Sequence, residues 1–111
     1  MNDLIDFQYF DSIDFRVGTI ISANTFDQAI KPAYKLLIDF GPLGKLNSSA
    51  QITDLYDKSI LINKQVVAAI NIGERQIMNF ISQCLVLGVS TKKGVVLLEP
   101  NLKLTNGSSI R

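Results

Sequence analysis

Two short runs constrain this chain's fold more than any other feature: Arg16-Val17-Gly18-Thr19-Ile20-Ile21-Ser22-Ala23, then Tyr34-Lys35-Leu36-Leu37-Ile38-Asp39-Phe40. The second places Leu36, Ile38 and Phe40 on one face and Lys35 and Asp39 on the other. Successive side chains leave a strand on opposite faces, so this alternation predicts a half-buried strand over 34–40. The first run predicts a strand over 14–24, with Val17, Thr19, Ile21 and Ala23 sharing a face and a glycine near its start. A connection carrying Lys31 and Pro32 joins the two.

The remaining pattern is of the same kind. Gly41-Pro42-Leu43-Gly44 reads as a turn, followed by a third strand over 46–53. Thr53-Asp54-Leu55-Tyr56 is expected to cap one helical turn, leading through Leu61 into a fourth strand over 65–71 with Val66, Ala68 and Ile70 together. Strands over 82–89 and 95–99 are joined by Thr91-Lys92-Lys93-Gly94. Before them all, Leu4, Ile5, Phe7, Phe10 and Ile13 recur at near-helical spacing, which predicts a short amphipathic helix ending before the first strand. Many short strands without a βαβ rhythm point to an all-β protein, a small barrel of five or six strands. At 111 residues, with no internal repeat or linker, it is one domain.

The later strands are apolar on both faces: Val66-Val67-Ala68-Ala69-Ile70, Cys84-Leu85-Val86-Leu87 and Val95-Val96-Leu97-Leu98. A barrel has one inside, so the outer face needs a cover. A second copy of the chain is the simplest one, and a homodimer is expected.

Charge and composition exclude several functions. The net charge is only +1, but Asp3, Asp6, Asp11 and Asp14 lie in the first fourteen positions, which hold no Lys or Arg. The rest of the chain therefore carries 11 basic against six acidic residues, enough for a local basic face. There is no histidine, the commonest general base and metal ligand. One cysteine builds neither a disulfide nor a zinc site, and Cys84 inside an apolar strand reads as an inert thiol. Gly41, Gly44, Gly73, Gly88 and Gly94 are isolated turn residues rather than a phosphate loop. No enzymatic activity, metal or cofactor is expected. No apolar run is long enough to span a bilayer, and nothing at the N-terminus reads as a signal peptide, so a cytoplasmic protein is expected.

Several segments carry groups suited to binding. Lys31 and Lys35 bracket the entry to the second strand, with Tyr34 between them either stacking on a base or packing at the barrel mouth. Ser48-Ser49-Ala50-Gln51 is unusually small and polar for a strand, with Ser49 and Gln51 on one side and Ala50 and Ile52 on the other. Asn71 ends an apolar strand, and Arg75 follows in the next turn, where a guanidinium can clamp a phosphate or stack on a base. Met78 and Ser82 come next.

Taken in order, the 16–23 and 31–41 segments, Ser48-Ser49-Ala50-Gln51-Ile52-Thr53, Asn71, Arg75-Gln76-Ile77 and Ser82-Gln83-Cys84-Leu85-Val86-Leu87-Gly88 resemble the tRNA-binding OB-fold of the CsaA type, over residues 10 to 111. The resemblance implies an OB-fold barrel over 14–111 behind a helical segment over 1–13, with residues 101–111 as a C-terminal dimerisation extension. It also implies a homodimer and a binding face bordered by the serine-containing stretch, Asn71, Arg75, Met78 and Ser82. The chain departs from that family where Gln83 stands in place of a glutamate and where Ile72-Gly73-Glu74 is less basic and free of proline.

Two functions follow from the resemblance. One is a free-standing tRNA-binding protein that recognises RNA by shape and phosphate contacts. The other is a chaperone that takes unfolded or export-bound polypeptide into the same groove, lined by Tyr34, Ile77, Met78 and Phe80. A structural module docking on a translation protein is a third. Salt separates the first two, because only RNA binding should weaken steeply with ionic strength.

Overall fold

The computed structural model describes residues 3–111, so the first two positions of the expected 1–13 segment lie outside it. β1 (Phe15–Thr25) is the longest strand and the spine of the molecule. Its distal half pairs antiparallel with β2 (Tyr34–Asp39) and its proximal half with β4 (Gln65–Ala69). β3 (Lys45–Ala50) extends the sheet beyond β2, and the two-residue β7 (Leu85–Val86) extends it beyond β4, in the order β3-β2-β1-β4-β7. Sheet twist then brings the outer edges of β3 and β7 together. The Gln83 N–H donates to the Asn47 carbonyl at 2.8 Å, and Gln83 Oε1 accepts from the Asn47 N–H at 2.9 Å. The product is a nearly closed five-stranded barrel, as the strand pattern predicts.

Ile20, Leu36, Ile38, Phe40, Leu61, Val66 and Ala68 fill the interior, the last three from β4 and the segment before it. The expected face of β2 is correct, but that of β1 is not. The register slips between Ile20 and Ser22, leaving Ile21 as the extra residue of a bulge. A bulge sets two residues against one and reverses the alternation beyond it. Ile20, pairing with Ile38, and Ala23, pairing with Leu36, therefore face the core, together with Gly18. A Cβ on Gly18 would lie 2.7 Å from the side chains of Ile38 and Phe40, so the Phe40 ring occupies the room this glycine leaves.

Val17 points outward yet is only 1% exposed. Its cover is the chain's own C-terminus. The Val17 N–H donates to the Ser108 carbonyl at 2.9 Å, the Gly107 N–H to Val17 at 2.7 Å, and the Ile110 N–H to Phe15 at 3.0 Å. The Thr19 hydroxyl and Gln65 Nε2 both donate to Asn106 Oδ1. A turn at Asn106-Gly107, with Gly107 at φ +90°, directs this segment along β1.

Four expectations need correction. The helix α1 (Phe7–Asp11), whose N-cap Asp6 accepts from the Gln8 N–H, is shorter than the apolar recurrence suggests. Leu4, Ile5, Phe7, Phe10 and Ile13 all remain exposed on the single chain. The helical turn expected at 53–56 forms instead as α2 (Lys58–Leu61), where it brings Leu61 fully into the core. The single strand expected over 82–89 is broken in three: β6 (Phe80–Ser82), β7, and β8 (Gly88–Thr91). β6 folds back on β5 (Arg75–Ile77), so Arg75 sits on a hairpin strand rather than in a turn. β8 pairs with β9 (Gly94–Leu97) through the expected 91–94 turn.

Candidate nucleic-acid interface

One open groove of about 590 Å³ runs between the β1–β2 loop, the end of β3, the β5–β6 hairpin and the β7–β9 region. Five of the ten predicted binding residues line it: Lys31, Ser49, Gln51, Arg75 and Met78. They come from three separate segments, and each arrives for a local reason. Lys31 precedes Pro32 in the loop, where no strand pairing draws its side chain into the sheet. Ser49 and Gln51 alternate outward from Ala50 and Ile52, which are buried. Arg75 pairs across the hairpin with Ser82, and Met78 at the hairpin tip adopts a left-handed φ of +55° and is 60% exposed. Among the described residues, Lys31 and Arg75 have no ion-pair partner; the pairs formed are Arg16–Asp14 and Lys64–Glu99. The groove lining contains these two cations and no carboxylate.

The other predicted residues do different work. Tyr34 belongs to the inner face of β2 and is buried, and its hydroxyl donates to the Tyr56 carbonyl at 2.8 Å. It packs the barrel mouth and offers no ring for a base. Ser48 is fully buried, and its hydroxyl donates to the Cys84 carbonyl at 3.0 Å. Ser82 Oγ accepts from the Ser49 N–H at 3.1 Å. With Gln83 these serines join β3 to the segment before β7, replacing a backbone ladder where the two edges run too short to form one. Ser48 and Ser82 thus close the barrel seam, while Ser49 faces the groove. Asn71 lies away from the groove: its Oδ1 accepts from the Asp14 N–H at 2.7 Å and its Nδ2 donates to Ser12, tying α1 to the barrel. Lys35 is half-buried, with its ammonium 5.5 Å from the Phe26 ring and 6.0 Å from that of Phe80, a cation–π arrangement behind the groove rather than in it.

This seam makes a prediction. Ser48→Ala removes the nearer of the two hydroxyls that donate to the buried Cys84 carbonyl, Ser82 Oγ at 3.4 Å being the other, and is expected to cost about 1 kcal/mol of stability in chemical denaturation while leaving ligand affinity unchanged. A loss of affinity without a loss of stability would return Ser48 to the binding face. Cys84 itself stays protonated near neutrality, since burial pushes its thiol up to about 11 against a smaller opposing pull from Ser48.

Of the apolar lining expected for a polypeptide groove, Ile77 and Met78 are in place and Tyr34 and Phe80 are not, while Ile30, Leu85 and Val95 were not anticipated. Ile30 is 98% exposed at the loop tip, and Ile77, Leu85 and Val95 line the floor. The signal was present in the bare isoleucine beside Lys31, but only the fold shows that the loop and hairpin face each other.

The sequence pattern of a family described as a putative tRNA binding domain matches residues 15–109. The crystal structure of the CsaA chaperone protein from Picrophilus torridus is similar at 50% identity with a TM-score of 0.93, covering 97% of this chain and 100% of that one. That of the chaperone CsaA from Bacillus anthracis is similar at 44% identity with a TM-score of 0.93, covering 98% and 100%. Among curated relatives, the methionine–tRNA ligase of Chlorobium phaeobacteroides is 36% identical over 111 residues, 97% of this chain but 15% of the ligase. That of Methanococcoides burtonii is 32% identical over 109 residues, covering 97% and 16%.

Proposed function

We propose that this chain, which belongs to the putative tRNA binding domain family and is of the CsaA type, is a non-catalytic tRNA-binding protein holding RNA by shape and phosphate contacts. The observation that carries this reading is the charge of the groove: Lys31 and Arg75 stand free in a lining without a carboxylate. A free guanidinium takes a phosphate bidentately, an ammonium takes one as a point charge, and no fixed anion competes. Ser49 and Gln51 between them are suited to sugar and base edges. Its place of action in this reading is the cytoplasm. Among the described residues no helix is long and apolar enough to cross a membrane.

Binding of bulk tRNA at two salt concentrations tests the reading. Arg75→Ala is expected to weaken binding about tenfold or more, as losing a charge-assisted contact does, and to lower the log–log salt slope by about 1. Salt-insensitive binding, or an unaltered slope in the variant, would overturn it.

The apolar floor supports a second reading. Ile30, Ile77, Met78 and Leu85 could seat an extended unfolded or export-bound polypeptide, and flexible Met side chains suit varied sequences. Peptide binding through this floor would persist at high salt. A homodimer belongs to both readings. Val89, Val96 and Leu98 on the β8–β9 side, and the apolar residues around α1, are bare on the single chain and give such an assembly something to bury. Residues 101–111 reach that assembly, in this reading, from their position along β1.

A further inference from the structure

The groove does not end at Gln51. A second chamber of about 340 Å³ opens beyond it, and Lys31, Gln51 and Val95 line both spaces. Its character is different. The first space is floored by aliphatic side chains; the second is walled by Thr53, Asp54, Ser90 and Thr91. Asp54 is the only carboxylate lining either one. Among the described residues, Asp54 is in no ion pair, and the side chains of Gln51, Thr53, Asp54 and Ser90 make no hydrogen bond with the chain.

The chamber is held in place by the β8–β9 turn. The Thr91 hydroxyl donates to the Gly94 carbonyl at 2.6 Å and accepts from the Lys93 N–H at 3.2 Å, so the turn is tied internally. Gly94, at φ +141°, comes so close that a Cβ there would lie 2.8 Å from Asp54 Cβ. The turn and the 53–55 segment are therefore in direct contact. Asp54 is exposed on a supported backbone, so its two carboxylate oxygens are open to any group with donors that enters the chamber.

We infer that this chamber reads an unpaired guanine, with Asp54 accepting from its Watson–Crick edge while Lys31, at the junction, holds the neighbouring phosphate. The inference rests on the tRNA reading above. A carboxylate repels phosphate, so the backbone stays in the first space and the base turns into the second. Protein side chains recognise splayed RNA bases on this edge. Guanine presents two adjacent donors there, N1–H and the 2-amino group, which match the two oxygens of one carboxylate. Adenine and cytosine set a ring-nitrogen acceptor beside their single amino donor, and uracil flanks its N–H with carbonyls. Each of those turns a lone pair toward Asp54.

The test is fluorescence anisotropy of the full chain with single-stranded RNA dodecamers, identical except for one central guanine, inosine or adenine. Wild-type protein is expected to bind the guanine RNA about tenfold more tightly than the adenine RNA, as one good bidentate base contact does. Inosine, which keeps N1–H but lacks the 2-amino group, should fall between. Asp54→Asn should erase the ranking and leave adenine RNA bound as before, whereas Arg75→Ala should weaken all three equally and preserve the ranking. Equal wild-type affinity for all three overturns the guanine site while leaving RNA binding intact. So does an Asp54→Asn protein that binds all three more tightly by one factor, since Asp54 would then act only as a repelling charge. No binding of any RNA at low salt overturns the tRNA reading itself, and the guanine site with it.

Discussion

Replacing Lys31 and Arg75 together by glutamate is expected to lower tRNA affinity by more than about a hundredfold, the largest effect any surface change should have. Each cation held by a phosphate contributes a charge-assisted hydrogen bond of about 1.5–3 kcal/mol, and two such losses already exceed a factor of a hundred. The reversal adds repulsion inside a groove that otherwise lacks a carboxylate. The log–log salt slope should fall by about 2, one for each neutralised phosphate. Both residues are exposed and neither is in an ion pair among the described residues, so the melting temperature should not move. Unchanged affinity in a folded double variant would show that RNA, if bound, lies elsewhere. Retained binding of an unfolded polypeptide alongside lost tRNA binding would show both ligands using the groove through different walls.

The second large effect is in the core. Phe40→Ala should destabilise the protein by about 3–5 kcal/mol, the range for emptying a buried aromatic site, because Phe40 is fully buried among Ile20, Leu36 and Ile38. Gly18→Ala should cost about 1–3 kcal/mol for the opposite reason, since its methyl would enter space the Phe40 ring fills. The double variant then carries the argument. A methyl at 18 partly fills the cavity left by Phe40→Ala, so the two losses should sum to more than the double variant shows. Residues in contact give such coupling. Urea denaturation of the three variants measures it. Strict additivity would mean that Gly18 is required for strand conformation rather than for the ring's room.

Much of the fold was legible because its signal is local. The alternation of Leu36, Ile38 and Phe40 survives along β2 and the residue after it, and so do the turns at 41–44 and 91–94. These depend on side-chain period and turn chemistry within a few residues. The β1 face was misread because a bulge adds one residue to the count, and nothing near Ile21 marks it in the sequence. The β5–β6 hairpin was missed because its turn carries Met78-Asn79, without the glycine that usually advertises a two-residue turn.

The candidate site divides along the same line. The sequence, through residue type and the family resemblance, picked out Lys31, Ser49, Gln51, Arg75 and Met78. It also picked out Ser48, Ser82 and Asn71, which look the same in sequence and prove to be internal ties. A serine that donates across a barrel seam and one that faces a ligand differ only in what lies opposite.

The sequence by itself determined the class of this protein: short alternating strands, one small core, and the family to which it belongs. The tertiary structure alone decided which polar residues are free. Closing β3 onto β7 consumed Ser48, Ser82 and Gln83, laying the C-terminus on β1 covered Val17, and folding the 29–33 loop toward the 75–78 hairpin left Lys31 and Arg75 facing one space. Those pairings span tens of residues, and hydrogen-bond partners at such separations are set by the path of the chain through space rather than by its neighbours in sequence.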